Sequence, residues 1–349
     1  MKFKINQTYI KKTIKNLSLI PSPTGMTDVA VNFVAKELDK FKIKYTRTNR
    51  GSLIARVNGK KKSPCITFSA HLDTLGAMVR GVKSDGRINV FSIGGYNWNS
   101  VHGEYVTIHT SKGKTYRGTC LPACASVHVF TGDVMNKPKK FEDMEIRLDE
   151  DVENAEDVAK LGISVGDYIS FDTRIEVLKN GFIKSRYLDD KAGVVSILAM
   201  LEALSLMKKK PERDVCIVFS TFEETGSGVS GIPEDSREFF AVDMGVIGGE
   251  HEGDEKKVSI CPMDGSGPYS RDLFIHLVNL AEKDKLEHAK DIFIYYGSDA
   301  SGVSRACIDV KTALIGPGVH ASHALERTHV KGIEQTSKLI LAYVFNPLP

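Results

Sequence analysis

The sequence predicts an α/β protein: a mostly parallel mixed sheet flanked by helices, with an inserted β-rich, barrel-like domain. Helical and strand-like segments alternate in residues 1–75 and again in 182–349, which is typical of parallel strands joined by crossover helices. Residues 76–181 instead contain short alternating runs separated by glycine-containing turns. We therefore expect residues 1–75 and 182–349 to form one discontinuous domain, interrupted by the insertion.

The first α/β segment contains two helical patterns followed by two strands. Apolar residues recur at helical spacing over residues 6–19 and 27–41, and Pro-Ser-Pro-Thr-Gly (21–25) separates the two helices. The runs GSLIARVNG and SPCITFSA then predict strands, and the second of these ends at His71.

The insertion has the pattern of a small β-barrel or sandwich. Runs such as GAMVRGVKSDGRINVFSIGG and GEYVTIHTSKGKTYRGT alternate apolar with polar residues around Ser-Asp-Gly and Ser-Lys-Gly turns. One acidic helix is expected over residues 154–161.

The second α/β segment begins with a strong helical pattern over residues 189–210. Two aspartates at its start and three lysines at its end match the helix dipole, and Pro211 stops it. The remaining predicted elements are strands at 215–219, 240–247, 291–296 and 311–315, and helices near 269–289 and 331–345.

Composition and charge argue against several classes of protein. The 349 residues include 47 basic and 44 acidic side chains, and a net charge of +3 provides no electrostatic basis for binding nucleic acid or a membrane surface. No run approaches about 18 apolar residues, and no signal peptide is apparent. Six cysteines, mostly far apart, favour a reducing, cytoplasmic location. Cys120 and Cys124 lack the second pair that a structural zinc site needs.

Polar residues gather where the predicted strands end and where helices begin. Because the carboxyl ends of parallel strands meet at one edge of a sheet, these side chains are expected to lie together. Neighbouring residues on a strand point to opposite faces, so two adjacent glutamates should have different roles. The residues are His71 and Asp73, Asp189 and Asp190, Glu223 and Glu224, Asp243, and the loop histidines His320 and His323.

Each of these residues alone has a structural explanation, as a core histidine, a helix N-cap, a salt-bridge partner or a solvated strand end. Together they indicate a metal site, because buried carboxylates are unfavourable unless they are paired or bind cations. Imidazole and carboxylate ligands suit zinc, cobalt or manganese. A carboxylate shared by two ions would hold them about 3.5–4 Å apart.

Six segments occur in the order of a known enzyme family: SAHLDTLG, RYLDDKAGV, TFEETGSG, AVDMG, YYGSDASG and GPGVHASHALERTH. The chain resembles the tetrahedral aminopeptidases, also called the glutamyl aminopeptidase family, which are dinuclear metallopeptidases. The resemblance spans almost the whole chain. It implies that the α/β domain is a metallopeptidase catalytic domain holding two divalent metal ions per subunit, with Zn²⁺ expected first and Co²⁺ or Mn²⁺ as alternatives.

The resemblance also assigns ligands. His71 and Asp243 correspond to the ligands of one metal ion, and Glu224 and His323 to those of the other. Asp189 would bridge the two ions, with a cis peptide bond to the next residue.

Two further residues receive catalytic roles from the resemblance. Glu223 takes the position of the general base that acts on a metal-bridging water. Asp73 would accept the second ring N–H of His71 and so fix its tautomer.

Two segments depart from the family pattern. The last histidine segment reads VHASHALERTH, in which His323 aligns best because Glu326 follows it, while His320 and His329 are rivals. The segment RGTCLPACASVHVF lacks the usual glycine-rich loop, and His128 is the candidate for that loop's histidine.

The resemblance implies a cytoplasmic metalloaminopeptidase that removes N-terminal residues from short peptides. It also implies a dodecameric tetrahedral homo-oligomer, with the insertion forming subunit contacts and part of the substrate pocket. One alternative is a carboxypeptidase or N-acyl amino acid deacylase, in which Arg186 or Arg327 grips a carboxylate. Another is a non-catalytic scaffold. A glycosidase is disfavoured, because adjacent glutamates on one strand diverge and would not flank a glycosidic bond.

Overall fold

Two helices and three strands open the chain. The structure is a computed structural model that describes residues 3–229 and 231–349. The first helix begins after Asn6, whose side-chain oxygen accepts hydrogen bonds from the N–H groups of Thr8 and Tyr9. The elements are α1 (Gln7–Ser18), α2 (Asp28–Lys40), β1 (Lys44–Arg47), β2 (Leu53–Val57) and β3 (Lys61–His71).

The insertion forms a closed antiparallel barrel, and this confirms the predicted barrel-like architecture. Its strands are connected in the order β4-β5-β8-β7-β6-β9 around an apolar cluster of its own. The strands are β4 (Gly76–Val82), β5 (Ile88–Ile93), β6 (Tyr105–His109), β7 (Thr115–Pro122), β8 (Met144–Leu148) and β9 (Tyr168–Phe171). Short helices α3 (Gly132–Met135) and α4 (Ala155–Leu161) lie in the connections.

The second part of the chain returns to alternating helices and strands. The strands are β10 (Glu176–Val177), β11 (Phe182–Ser185), β12 (Arg213–Ser220), β13 (Ser236–Val242), β14 (Gly245–Ile247), β15 (Val258–Cys261), β16 (Met263–Asp264), β17 (Gly267–Pro268), β18 (His288–Ala289), β19 (Lys311–His320) and β20 (Glu326–His329). The helices are α5 (Leu188–Ser205), α6 (Arg271–Lys283), α7 (Asp299–Arg305) and α8 (Val330–Phe345).

The central strands of the large sheet are parallel, and its outer strands are antiparallel. The order is β1-β2-β12-β3-β13-β19-β20-β11-β10, with β12, β3, β13 and β19 running in the same direction. This confirms the predicted mostly parallel mixed sheet. It also brings the carboxyl ends of four neighbouring strands to one edge, where ligand sites of α/β proteins form.

Helix α5 is buried along nearly its whole length between α1, α8 and the sheet. In the layer beneath it, Phe240 of β13 stacks on Phe68 of β3 at 4.8 Å between ring centroids and contacts Tyr343 of α8 at 4.6 Å. These aromatic contacts fix the helix layer against the strands that carry the site. Within the described residues, no helix combines the length and apolar character needed to cross a bilayer.

Four predicted elements are wrong in extent or type. The helix predicted near 269–289 covers only Arg271–Lys283, and His288–Ala289 form the short strand β18. Helix α5 ends at Ser205 instead of continuing to residue 210, because the chain leaves the core at the exposed Leu206. The strand predicted at 240–247 is interrupted, and β13 and β14 lie on either side of Asp243. The run 291–296 is a loop with a single bridge from Phe293 to Asp264. Phe293 is buried, but Ile292, Ile294 and Tyr295 are exposed, and no described strand pairs along the run.

We predict that Phe240→Ala lowers the free energy of unfolding by about 3–5 kcal/mol, because the truncation leaves a cavity between β3 and α8. Urea denaturation followed by circular dichroism measures the loss. Phe91→Ala in the barrel is the control, since that side chain is half exposed and its removal should cost about 1 kcal/mol. Equal losses in the two variants would contradict the packing described here.

Candidate metal centre

Carboxylates and imidazoles converge at the carboxyl edge of the central strands. Each reaches this edge because a parallel strand ends there, a helix begins there, or a turn between two strands folds back over it. His71 ends β3, Glu223 and Glu224 follow β12, Asp243 follows β13, Asp189 and Asp190 lie in the first turn of α5, and His323 lies in the turn between β19 and β20.

His71 is buried and presents one ring nitrogen to the carboxylates. Its Nδ1 lies 2.9 Å from the backbone carbonyl oxygen of Asp73, which can only accept, so Nδ1 carries the proton. In the neutral ring, Nε2 therefore offers a lone pair to the centre, whereas the imidazolium form donates from Nε2 to Asp189. Nε2 lies 3.2 Å from Oδ1 of Asp189 and 3.8 Å from Oε2 of Glu223.

His323 occupies the opposite side of the same aspartate. Its Nε2 lies 3.4 Å from Oδ2 of Asp189 and 3.6 Å from Oε2 of Glu224, while Nδ1 donates to the carbonyl oxygen of Gly95 at 2.5 Å. The backbone of His323 has a positive φ of 63°. Its N–H donates to Oε1 of Glu326 at 3.0 Å, which holds the turn in place.

Asp189 lies between the two histidines, with one carboxylate oxygen facing each ring. Ser322 donates to Oδ2 of Asp189 at 2.9 Å, and the Asp189 N–H donates to Glu326 at 3.1 Å. The peptide bond to Asp190 is cis, as the resemblance implied. Asp190 accepts hydrogen bonds from the N–H groups of His71 and Gly193, at 3.2 and 3.0 Å.

Possible metal ligands form two overlapping groups. Ligand atoms of His71, Asp189 and Glu224 all lie within 4.8 Å of one another, and the same holds for His71, Asp190 and Asp243. Four of the five predicted ligands belong to these groups, and the fifth, His323, lies beside them with its Nε2 3.4 Å from Asp189. Asp190, which the sequence analysis left as a possible N-cap, belongs to the same cluster.

Burial makes the carboxylates of this centre difficult to ionise without cations. Burial, with the charge of Asp189 adding to it, raises the pKa of Asp243 to about 7 and that of Glu224 to about 8. Burial and then the charge of Asp243 raise the pKa of both Glu223 and Asp190 well above the usual range.

The pKa values of Asp189, His71 and His323 shift in the direction that favours their charged forms. Burial opposes ionisation of Asp189, but hydrogen bonds from His323 and His71 hold its pKa well below the usual range. Burial also disfavours the imidazolium form of His323, yet Asp189 and Glu224 raise its pKa to about 10. These shifts show that the negative charge of the pocket attracts any available positive charge.

The donor set fits divalent metal ions. Oε1 of Glu224 is buried without a hydrogen-bond partner. Throughout residues 3–229 and 231–349, the carboxylates of this centre form ion pairs with histidine but none with lysine or arginine. Buried charges without such partners need a counter-ion, and imidazole with carboxylate is the ligand chemistry of zinc, cobalt and manganese.

A cleft of about 520 Å³ opens onto the centre. Asp189, Glu223, Glu224, Asp243 and His323 form one part of its wall, and residues of the 295–305 segment form another. Its volume falls within the range of small-ligand sites in proteins. The cleft therefore has room for a small ligand next to the cluster.

Comparison with known proteins identifies the family. The family model of M42 glutamyl aminopeptidase matches residues 51–339, which is most of the chain. The chain belongs to this family. It is therefore a peptide hydrolase of the metalloaminopeptidase type, and the predictions of an enzyme and of divalent metal use are confirmed.

Individual relatives agree with this membership. "Putative aminopeptidase YhfE" of Bacillus subtilis is 45% identical over 345 residues, covering 98% of this chain and 99% of that protein. "Lysyl aminopeptidase" of Pyrococcus furiosus is 26% identical over 204 residues, which is 58% of this chain and 54% of the relative.

Solved structures share the fold. An aminopeptidase from the archaeon Desulfurococcus kamchatkensis superimposes with a TM-score of 0.87 at 24% identity, covering 98% of this chain and 96% of that one. The structure described as "PhTET1-12s, dodecamer in the asymmetric unit" superimposes with a TM-score of 0.81 at 24% identity. The match covers 96% of this chain and 99% of that one.

In this M42 chain, the carboxylate of Asp73 has a different partner from the one predicted. The acceptor for the His71 ring is the Asp73 carbonyl, and the carboxylate oxygen lies 3.7 Å from that nitrogen. The carboxylate instead accepts the backbone N–H groups of Glu223 and Glu224, at 3.1 and 3.2 Å, and the hydroxyl of Thr24 at 2.7 Å. Asp73 therefore fixes the turn that carries both glutamates.

The two glutamate side chains point in different directions for a reason other than the predicted strand alternation. The strand β12 ends at Ser220, and Glu223–Thr225 form a 3-10 turn, so strand alternation does not separate them. Their carboxylates nevertheless approach different rings, Glu223 that of His71 and Glu224 that of His323. Arg50 closes the turn by donating to the carbonyl and hydroxyl oxygens of Ser227, both at 3.0 Å.

The rival histidines lie elsewhere in this M42 chain. His320 is exposed at the end of β19, and His128 is exposed in the connection between β7 and β8. His329 caps α8 by accepting the Lys331 N–H, and its Nε2 faces the carbonyl oxygen of Asn180.

The close cysteine pair does not form a cluster. Cys120 is buried in the barrel core, and Cys124 lies beyond the end of β7. Neither belongs to a group of possible metal ligands within the described residues.

We predict that His323→Ala weakens metal binding by more than the roughly 10–100-fold typical of losing an outer-shell partner, because Nε2 no longer faces Asp189 and Glu224. Elemental analysis after dialysis against limiting metal measures the loss. His320→Ala is the matched control and should retain the metal content of the wild type. If His320→Ala loses metal and His323→Ala does not, the histidine assignment is wrong.

Proposed function

We propose that the protein is a dinuclear aminopeptidase that hydrolyses N-terminal residues from short peptides. The observation that carries this proposal is the position of Asp189, whose two carboxylate oxygens face two histidines at 3.2 and 3.4 Å. A carboxylate placed in this way suits a bridge between two cations. The proposed metal ligands are His71, Asp189, Glu224, Asp243 and His323.

The ligands divide into two sets around the bridge. His71 and Asp243 would hold one ion and Glu224 and His323 the other, with Zn²⁺ expected first and Co²⁺ or Mn²⁺ as alternatives. Asp190 lies close to His71 and Asp243, but both of its oxygens accept backbone N–H groups. We therefore assign Asp190 to orienting the His71 backbone and the start of α5.

Divalent ions held by these ligands would supply Lewis-acid chemistry at the scissile carbonyl and at a water molecule. Glu223 provides the proton transfers. Its carboxylate borders the cleft, approaches Nε2 of His71 at 3.8 Å, and has no hydrogen-bond donor among the described residues. It is free to accept a proton from the attacking water and to return it to the leaving amine. Asp73 holds the backbone of Glu223 in position for this role.

The carboxypeptidase and deacylase alternative requires a cation that grips a carboxylate, and the two arginines considered for it are engaged. Arg186 donates to the Ser100 carbonyl and pairs with Glu104 at 3.1 Å. Arg327 pairs with Glu255 at 2.6 Å. Family membership and this pairing both favour an aminopeptidase.

We propose that residues 1–75 and 182–349 form the catalytic domain and that residues 76–181 contribute subunit contacts and part of the pocket. Exposed apolar side chains between β7 and α3, including Val127 and Val129, support a contact surface on the insertion. The solved structures of this fold include an assembly described as a dodecamer. We extend that assembly to this chain, and we place the enzyme in the cytoplasm.

Assays on peptides with free and N-acetylated amino termini test the aminopeptidase activity. The metal-loaded enzyme should release the first residue of the free peptides and leave the acetylated set intact. Release from the acetylated set alone would establish the deacylase alternative. No hydrolysis of either set, with metal bound, would favour the scaffold alternative.

We predict that Glu223→Gln lowers kcat by at least about 10²–10⁴-fold, because the amide cannot accept a proton from water. Metal content should stay at the wild-type level, since Glu223 is not among the proposed ligands. Steady-state kinetics with elemental analysis measures both effects. Retained activity would remove Glu223 from the mechanism, and lost metal would make it a ligand.

A further inference from the structure

Tyr296 connects the cleft wall to the end of the strand that precedes Asp243. It lies in the loop before α7, and its ring is half-buried beside that of Phe293, at 5.3 Å between ring centroids. Its hydroxyl donates to the backbone carbonyl oxygen of Met244 at 2.9 Å. Met244 lies between Asp243 and β14, so the hydroxyl makes this contact directly beside a proposed metal ligand.

The carboxylate of Asp243 takes its orientation from the backbone around it. The Met244 N–H donates to Oδ1 of Asp243 at 2.6 Å. The Asp243 N–H in turn donates to the carbonyl oxygen of Ile315 in β19, at 3.0 Å. The segment is therefore held to the sheet at Asp243 and by the Tyr296 hydroxyl at Met244.

The side chain that provides this hydroxyl is itself held firmly. The carbonyl oxygen of Tyr296 accepts the Gly265 N–H at 3.1 Å. A Cβ at Gly265 would lie 2.7 Å from the carbonyl oxygen of Ile294, so the two loops pack through their backbones. The Tyr296 ring packs against both apolar clusters of the α/β part of the chain. Packing of this kind fixes a supporting residue in the geometry that a binding site needs.

A buried tyrosine that simply satisfies its own hydroxyl is the simpler explanation, since such groups usually find an acceptor. That explanation does not account for the contact with Asp243. Burial and then the charge of Asp189 raise the pKa of Asp243 to about 7, whereas a hydrogen bond with Tyr296 is among the effects that lower it. The hydroxyl therefore interacts with the carboxylate as well as with the carbonyl that follows it.

A neutral donor suits an outer-shell position at this centre. Among residues 3–229 and 231–349, no lysine or arginine pairs with the carboxylates of the cluster. A cation beside Asp243 would compete with the metal ion for its charge. A phenol keeps its proton at neutral pH, so Tyr296 can orient the carboxylate and leave its charge to the ion.

We propose that Tyr296 is a positioning residue that holds Asp243 in place for the ion it shares with His71, and this inference rests on the proposed dinuclear site. Outer-shell partners of metal ligands typically contribute roughly 10–100-fold to metal affinity. The effect should fall on one of the two ions. Among the described residues, the hydroxyl makes no hydrogen bond to Glu224 or His323, the proposed ligands of the other ion.

Tyr296→Phe removes the hydroxyl and keeps the ring, so it tests the contact without opening a cavity. Tyr269→Phe is the matched control, because that buried hydroxyl donates to the carboxylate of Asp264 at 2.6 Å, in a network without any proposed ligand. Titration of the metal-free proteins with Co²⁺, followed by visible absorption and checked by elemental analysis, gives both dissociation constants. Thermal unfolding of the metal-free proteins compares their stability.

Tyr296→Phe should raise one of the two Co²⁺ dissociation constants by about 10–100-fold and leave the other within a few-fold of the wild type. Tyr269→Phe should leave both unchanged, although each variant loses one buried hydrogen bond and the two should lose similar stability. At saturating Co²⁺, kcat of Tyr296→Phe should return close to the wild-type value, because the hydroxyl positions a ligand and does not contact the substrate.

Unchanged dissociation constants in Tyr296→Phe would overturn the inference and leave the dinuclear site in place. Equal weakening of both ions, or the same weakening in Tyr269→Phe, would also overturn it, because either result indicates a general loss of structure. A kcat that stays low at saturating Co²⁺ would replace the positioning role with a substrate contact. A wild type that binds fewer than two ions would refute the proposed dinuclear function and this inference together.

Discussion

The burial of several carboxylates around two imidazoles, at the edge of a parallel sheet, is the constraint on which the rest of the structure depends. Ionised carboxylates in a poorly hydrated pocket are strongly destabilising unless paired, and here the protein supplies few cations of its own. This excess of buried negative charge raises the pKa values of Glu224 and Asp243. It also leaves Oε1 of Glu224 buried without a hydrogen-bond partner. Divalent ions balance this charge, so the feature that makes the pocket unfavourable when empty also gives it affinity for metal.

Close packing of the backbone keeps these side chains within reach of one another. A Cβ at Gly316 of β19 would lie 1.6 Å from the carbonyl oxygen of Asp243, and one at Gly193 of α5 would lie 2.2 Å from that of Val242. No side chain fits at either glycine, so α5, β13 and β19 meet through their backbones. Lys191, buried beside the site, donates to the carbonyl oxygens of Leu17 and Ile20 and ties α5 to the end of α1. The geometry of the ligands is thus set by elements far apart in the sequence.

Much of the centre could be predicted from the sequence, because the direction of parallel strands determines where their ends meet. The contacts made within turns could not be predicted, because they depend on backbone angles that the residue types alone do not determine. Asp73 illustrates this: its carboxylate holds the turn of the two glutamates, and its carbonyl orients His71. Glu326 likewise joins His323 to Asp189 through backbone N–H groups. The false strand at 291–296 has a related cause, because Phe293 packs into a core while Ile292, Ile294 and Tyr295 are exposed, and Tyr295 borders the cleft.

The inserted barrel makes direct contacts with the candidate metal centre. The carbonyl of Gly95, between β5 and β6, accepts the Nδ1 proton of His323 and so leaves Nε2 free to face Asp189 and Glu224. Ser100 donates to the His323 carbonyl at 3.5 Å and is itself bound by Arg186. An acceptor on the second nitrogen fixes the tautomer and orientation of a metal-binding histidine. The barrel therefore supplies the acceptor that orients His323, and a shift of the barrel against the large sheet would change the position of that ring relative to Asp189 and Glu224.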